Sequence, residues 1–197
     1  MYIKRQYKYD DKFIEEIKQL YLKNGASSVV NRKDIENAFS RFETVGRGEY
    51  GNFTTSMYED NILLYGYDGK LVEKNIIESI KGVDKGKYDS GVFQYIYDKE
   101  FVESADKLGL IKVVDGTTPG ASSLNIPGSK TWAGKNIEYS ETELLMPSID
   151  VSKYDSIDVL SDIDLKGCFE IKNPTVICKN GSLIEIKGTF YIKKIGE

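Results

Sequence analysis

The stretch from Lys166 to Ile195 constrains this chain most, because it states its own geometry. Phe169 and Ile171 alternate with Cys168, Glu170 and Lys172, and Asn173-Pro174 then interrupts. Val176 to Cys178 runs into Asn180-Gly181, and Leu183 to Lys187 returns. Asn-Gly between two apolar runs is a strong hairpin signal, since both central residues of a type I′ turn need positive φ. After Gly188, Phe190 and Ile192 alternate with Thr189, Tyr191 and Lys193. The spacing predicts a three-stranded antiparallel meander whose apolar face the preceding residues must cover.

Those preceding residues read as mainly helical. Asp10 or Asp11 caps a helix running to Lys23, with Phe13, Ile14, Ile17, Leu20 and Tyr21 on one face and Asn24-Gly25 as its stop. A second helix starts from an Asn31 cap, carries Asp34 in its first turn and presents Ile35, Ala38, Phe39 and Phe42 at helical spacing. The short polar link between them predicts an α-hairpin. A DNA-reading helix-turn-helix is disfavoured, because Asp34 and Glu36 sit beside Arg32 and Lys33. Asp68-Gly69 predicts a hairpin between Ile62–Tyr67 and Lys70–Val72. Ile76, Ile77 and Ile80 predict a short helix over 74–80. Val92 to Tyr97 suits either a strand or the start of a helix. Asp98 caps a helix from Lys99 to Leu108, Gly109 closes it, and Leu110 to Val114 follows as a strand. Lys107-Leu-Gly-Leu-Ile-Lys112 resembles the helix-to-wing junction of winged-helix regulators, but the helix before it carries Asp98, Glu100, Glu103 and Asp106, a poor surface against phosphates.

The fold class expected is α+β: a helical N-terminal part with small β-hairpins, then an antiparallel β-rich C-terminal part. The boundaries fall at 1–115, a loop or linker rich in Gly, Ser and Pro over 116–134, and 135–197. The loop holds one charge, Lys130, and ends near the sole tryptophan, Trp132. Between Ile137 and Leu165 lie eight acids and one base, Lys153, without EF-hand spacing. This acidic band reads as a solvated face or a match for the basic terminal meander. The glycines of Val45-Gly-Arg-Gly-Glu-Tyr-Gly-Asn52 fit neither GxGxxG nor a P-loop, and Glu49 would repel a phosphate, so this is a connector.

Composition narrows the chemistry further. The chain of 197 residues contains no histidine, which removes Ser-His-Asp and Cys-His nucleophile systems and the usual zinc sites. A net charge of −4 argues against a wide nucleic-acid face. No apolar run approaches the roughly 18 residues of a membrane span. Residues 1–10 are charged and aromatic, unlike a signal peptide, so a cytoplasmic or virion location is expected. Cys168 and Cys178 fall on predicted neighbouring strands, where a cross-strand disulfide is one option and a pair of small buried thiols the favoured one.

Within the acidic band, Tyr139-Ser-Glu-Thr-Glu-Leu-Leu-Met-Pro147 resembles the E-x-E segment of ADP-ribosyltransferases. The resemblance implies NAD as substrate, Glu143 as the glutamate that positions the nicotinamide ribose, and Glu141 as the one that activates an arginine acceptor. That family's strand-borne arginine has Arg5 as its counterpart here, and its Ser-Thr-Ser strand has Thr54-Thr55-Ser56 or Ser122-Ser123. The leading expectation is different. With no complete catalytic constellation, cofactor loop or metal pattern, the chain reads as a non-enzymatic interaction or assembly module, such as a structural component of a phage virion, with no cofactor. Its partners would be protein subunits of an assembly or a homo-oligomer. Trp132 and the arm residues Tyr2, Tyr7 and Tyr9, in a chain with 14 tyrosines, would be the interface anchors. The alternative is an NAD-dependent ADP-ribosyltransferase-like enzyme working through Glu141 and Glu143.

Overall fold

The computed structural model describes residues 11–41, 44–45, 52–54, 56–58, 61–66, 71–75, 91–115, 139–140, 142–178 and 180–196. These form an α+β fold in which every strand pair is antiparallel. Its central sheet has the order β1 (Ala26–Asn31), β7 (Val92–Tyr97), β15 (Thr189–Gly196), β12 (Cys168–Lys172). Strands from both ends of the chain therefore share one sheet. β7 is its best-buried strand. Phe93, Tyr95 and Tyr97 are sealed on one side of it and Val92 and Gln94 on the other. Burial of both faces explains why Val-Phe-Gln-Tyr-Ile-Tyr shows no clean alternation. Gln94 tolerates this position because its amide Nε2 donates to Ser27 Oγ of β1 at 2.9 Å.

Aromatic rings tie this sheet to the helix that follows it. Tyr97 lies 5.0 Å from Phe101 and 5.3 Å from Phe190, ring centre to ring centre, and Tyr95 lies 5.4 Å from Phe190. That helix, α3 (Lys99–Lys107), buries Phe101, Val102 and Ala105. Burying Phe101 and Val102 stabilises by about 1.5–3 kcal/mol each. Asp98 caps it, accepting from the Phe101 N–H at 2.8 Å. At the other end the Gly109 N–H bonds to the Asp106 carbonyl and the Leu110 N–H to Ala105, with Gly109 at φ +67. This is the double closure that a left-handed glycine permits. β8 (Lys112–Asp115) follows and pairs with β10 (Thr142–Met146), so the junction resembling a winged helix feeds a three-stranded sheet.

Several expectations are corrected. α1 (Asp11–Asn24) and α2 (Arg32–Ser40) form, with Asn31 capping Asp34 N–H at 2.9 Å, but β1 runs between them and no α-hairpin exists. Ala-Ser-Ser-Val-Val-Asn becomes a strand because β7, more than sixty residues away, supplies its ladder. Lys74 and Asn75, placed in a helix by their isoleucine neighbours, end strand β6 (Leu71–Asn75). β6 pairs with β5 (Asn61–Gly66) as the Asp68-Gly69 signal predicts. Residues 76–80 lie outside the described residues.

The terminal meander is also rewired. β12 pairs with β15, while β13 (Thr175–Ile177) and β14 (Leu183–Glu185) form a hairpin in a different sheet, of order β14-β13-β11-β2. Here β11 is Ser148–Asp150 and β2 is Thr44–Val45. The switch happens at Asn173, whose φ of +49 is the one positive value outside glycine among the described residues. Its backbone N–H donates to the Gly188 carbonyl at 2.7 Å, and its Oδ1 accepts from the Gly188 N–H. The hairpin itself closes with Gly181 at φ +80 and a Gly181 N–H to Cys178 carbonyl bond. This is a three-residue loop with one left-handed glycine, not a two-residue type I′ turn.

The acidic band holds a helix that its charges concealed. α4 (Ser156–Lys166) starts on Asp155, which accepts from the Ile157 N–H, and stops at Gly167 with φ +72. Val159 and Ile163 face the core. Asp162 pairs with Lys166 at 2.7 Å and Asp164 reaches Arg32 of α2, so the acids serve as cap and ion-pair groups. Among the described residues, no helix is long and apolar enough to cross a membrane.

Candidate active site

The E-x-E segment straddles a change of partners. β9 (Tyr139–Ser140) pairs with β5, in the sheet that β5 shares with β6 and β4 (Ser56–Tyr58). β10 then becomes the middle strand between β3 (Asn52–Thr54) and β8. Glu143 takes its place in β10 opposite Val114 of β8, and Leu144 stands opposite Thr54 of β3. Glu141 lies between β9 and β10, outside the described residues.

This register joins two elements that are nearly ninety residues apart in sequence. Thr54, first residue of the Thr54-Thr55-Ser56 match, is paired with the residue directly after Glu143. Thr55 is outside the described residues, and Ser56 begins β4, opposite Leu63. The competing Ser122-Ser123 match and Arg5 lie outside them as well. So do Trp132, Tyr2, Tyr7 and Tyr9, and the whole 116–134 loop.

β10 continues almost directly into β11. Leu144 and Met146 are sealed in the core, as are Ile149 and Val151, while Leu145 and Asp150 are partly exposed. The core-facing parity therefore slips by one residue at Pro147-Ser148, both buried. The run is flanked by β2 and β3, with Thr44 opposite Asp150, Val45 opposite Ile149 and Asn52 opposite Met146. Residues 46–51, the glycine-bearing connector between β2 and β3 in sequence, lie outside the described residues.

The other reactive groups play smaller parts. Cys168 in β12 and Cys178, just after β13, are free thiols, and those two strands do not pair with each other. Burial pushes the Cys168 thiol up, and the Glu170 charge adds to the effect, which leaves it a poor nucleophile at neutral pH. Among the described residues, no group of three or more acidic or cysteine side chains is placed to hold a metal ion.

The E-x-E resemblance rests on spacing alone. What it could not weigh was the hydroxyl-rich stretch 54–56, because the signal that promotes it is a long-range strand pairing.

Compared with protein families, the chain matches the model described as the NAD glycohydrolase catalytic domain over residues 1–197. No curated protein matches the sequence. The family match overturns the leading expectation of a non-enzymatic assembly module or virion component. That expectation took an incomplete catalytic constellation for absent chemistry, whereas cleaving NAD needs no histidine and no resident metal. The chain acts on NAD, and it belongs to the NAD glycohydrolase catalytic-domain family.

Proposed function

We propose that the chain hydrolyses NAD. The bond between the pyridinium nitrogen and ribose C1′ breaks, water adds to C1′, and ADP-ribose, nicotinamide and a proton result. The match of the whole chain to the NAD glycohydrolase family carries this reading. The pairing of the E-x-E strand with β3 supports the place of the chemistry. As the bond breaks, its electron pair moves onto the pyridinium nitrogen, so nicotinamide leaves as a neutral molecule without a general acid. A chain lacking histidine can run such a reaction. Positive charge builds on the ribose at C1′ and its ring oxygen, and a fixed carboxylate beside it lowers the barrier. Glu143 is assigned that task. Glu141 is assigned to the incoming nucleophile, orienting it and receiving its proton. With water the product is ADP-ribose, and with an arginine side chain the same step would be ADP-ribosyl transfer.

The test is nicotinamide release from millimolar NAD, followed by chromatography. The native chain should turn NAD over. Glu143→Gln should lower kcat by about 100-fold or more with an unchanged melting temperature, as for the loss of one transition-state electrostatic contact. No release by the native chain, or native turnover in Glu143→Gln, overturns the reading. Faster modification of an added arginine analogue than formation of free ADP-ribose would replace hydrolysis by transfer.

A further inference from the structure

A cavity of about 300 Å³ opens where β12 gives way to β13, bounded by Asp150, Lys153, Tyr154, Lys172, Pro174 and Glu185 among its walls. Nothing in the chemistry assigned to Glu143 uses it. It lies on the same strand run, since Asp150 ends β11 and is seven residues beyond Glu143. At about 3.3 Å per strand residue the two are at most about 23 Å apart. Asp150 falls on the parity that alternates with the core residues Ile149 and Val151. An elongated substrate could lie along this run with one end at each position.

We infer that this cavity holds the adenylate half of NAD, an assignment that rests on the hydrolysis reading above. Its walls carry charged groups suited to the phosphate and ribose of that half. Lys153 and Lys172 supply cations for phosphate oxygens. Asp150 and Glu185 supply carboxylates, the groups that commonly accept from ribose hydroxyls. Tyr154 adds a half-buried ring to walls that are otherwise almost wholly polar, and Pro174 is buried behind them. The Tyr154 ring is itself braced edge-on against Phe169 at 5.5 Å, so it is held in place. One Asp150 oxygen accepts from the Ser152 N–H at 2.9 Å, which orients the carboxylate. Asn173, the residue with the left-handed backbone, forms part of the wall.

Nicotinamide mononucleotide separates this assignment from the reading beneath it, since it keeps the scissile bond and lacks the adenylate half. The native chain should show a higher kcat/KM for NAD than for the mononucleotide. Combined Lys153→Ala and Lys172→Ala should reduce that preference about tenfold or more, chiefly through KM for NAD. Both lysines are exposed, so the melting temperature serves as the control for folding. NADP should also be a poorer substrate than NAD, because its 2′-phosphate would meet Asp150 and Glu185. Glu185→Gln should narrow the difference. An unchanged preference in the double variant, or equal use of NADP and NAD by the native chain, overturns the assignment while leaving hydrolysis intact. Absence of turnover on either nicotinamide substrate would instead overturn hydrolysis.

Discussion

Arg32, first residue of α2, grips Asp164 of α4 with both prongs of its guanidinium, Nη1 to Oδ1 at 3.3 Å and Nη2 to Oδ2 at 3.1 Å. Its Nε also reaches Glu36 one turn along its own helix. Both partners of the long-range pair remain about a third exposed, so geometry favours the bond and solvent weakens it. A double-mutant cycle with Arg32→Ala and Asp164→Asn should give a coupling of about 0.5–1 kcal/mol, read by denaturant unfolding. The coupling should shrink in high salt. A value unchanged by salt would mean the pair is more desolvated than the structure shows.

Gly188 is the glycine whose replacement should be most damaging. It is buried at φ +126, and a methyl there would collide with the backbone N and stand 2.6 Å from Cα of Phe101. Gly188→Ala should therefore cost about 3 kcal/mol or more. Gly109 has φ +67 but open space around it, so Gly109→Ala should cost only the left-handed penalty of about 1–2 kcal/mol. Comparing the two variants by urea unfolding separates collision from backbone preference.

Lys18 of α1 donates to Asp106 of α3 at 2.7 Å, and that hydrogen bond, reinforced by the Asp106 charge, raises the lysine above its ordinary 10.5. A cation whose folded-state pKa is raised adds stability that is complete below the unfolded value and fades as pH climbs through the folded one. Native protein should thus lose this contribution only above pH 10.5, and Lys18→Met should lack that alkaline component. Melting temperatures of the two proteins should converge as pH rises past that point. A gap that stays constant would show that the ion pair adds nothing.

Hydrolysis by this chain should have no histidine limb in its pH profile. With no histidine present and nicotinamide leaving neutral, kcat/KM should stay level between about pH 6 and 8. A steep change centred near neutrality would require a proton-transferring group with a strongly displaced pKa, and would count against the roles given to the two glutamates.

Local chemistry was legible wherever a residue determined its own surroundings. Asp98 and Gly109 bracket α3 and Asn31 caps α2, each as side-chain preferences dictate, and β5 pairs with β6 as the sequence between them predicts. Elements made by distant partners were not legible. β1 looks like a polar link until β7 pairs with it, and β12 looks like the neighbour of β13 until Asn173 turns the chain away. α4 was hidden because Asp158, Asp162 and Asp164 drew attention to charge, although Val159 and Ile163 carry a helical spacing. Glu141 and Glu143 were readable as a pair from their spacing. The pairing of Leu144, next to Glu143, with Thr54 was not, since it depends on strand register across most of the chain.

The two ladders on either side of residues 46–51 have a practical meaning for anyone altering this protein. Thr44 and Val45 are fastened to β11, and Asn52 to Thr54 are fastened to β10, so each end of that stretch is secured by its own ladder. Length added between two secured points costs a closing entropy that grows only slowly with the number of residues. That stretch is the natural place to insert a reporter or a short tag while Glu143 keeps its place opposite Val114.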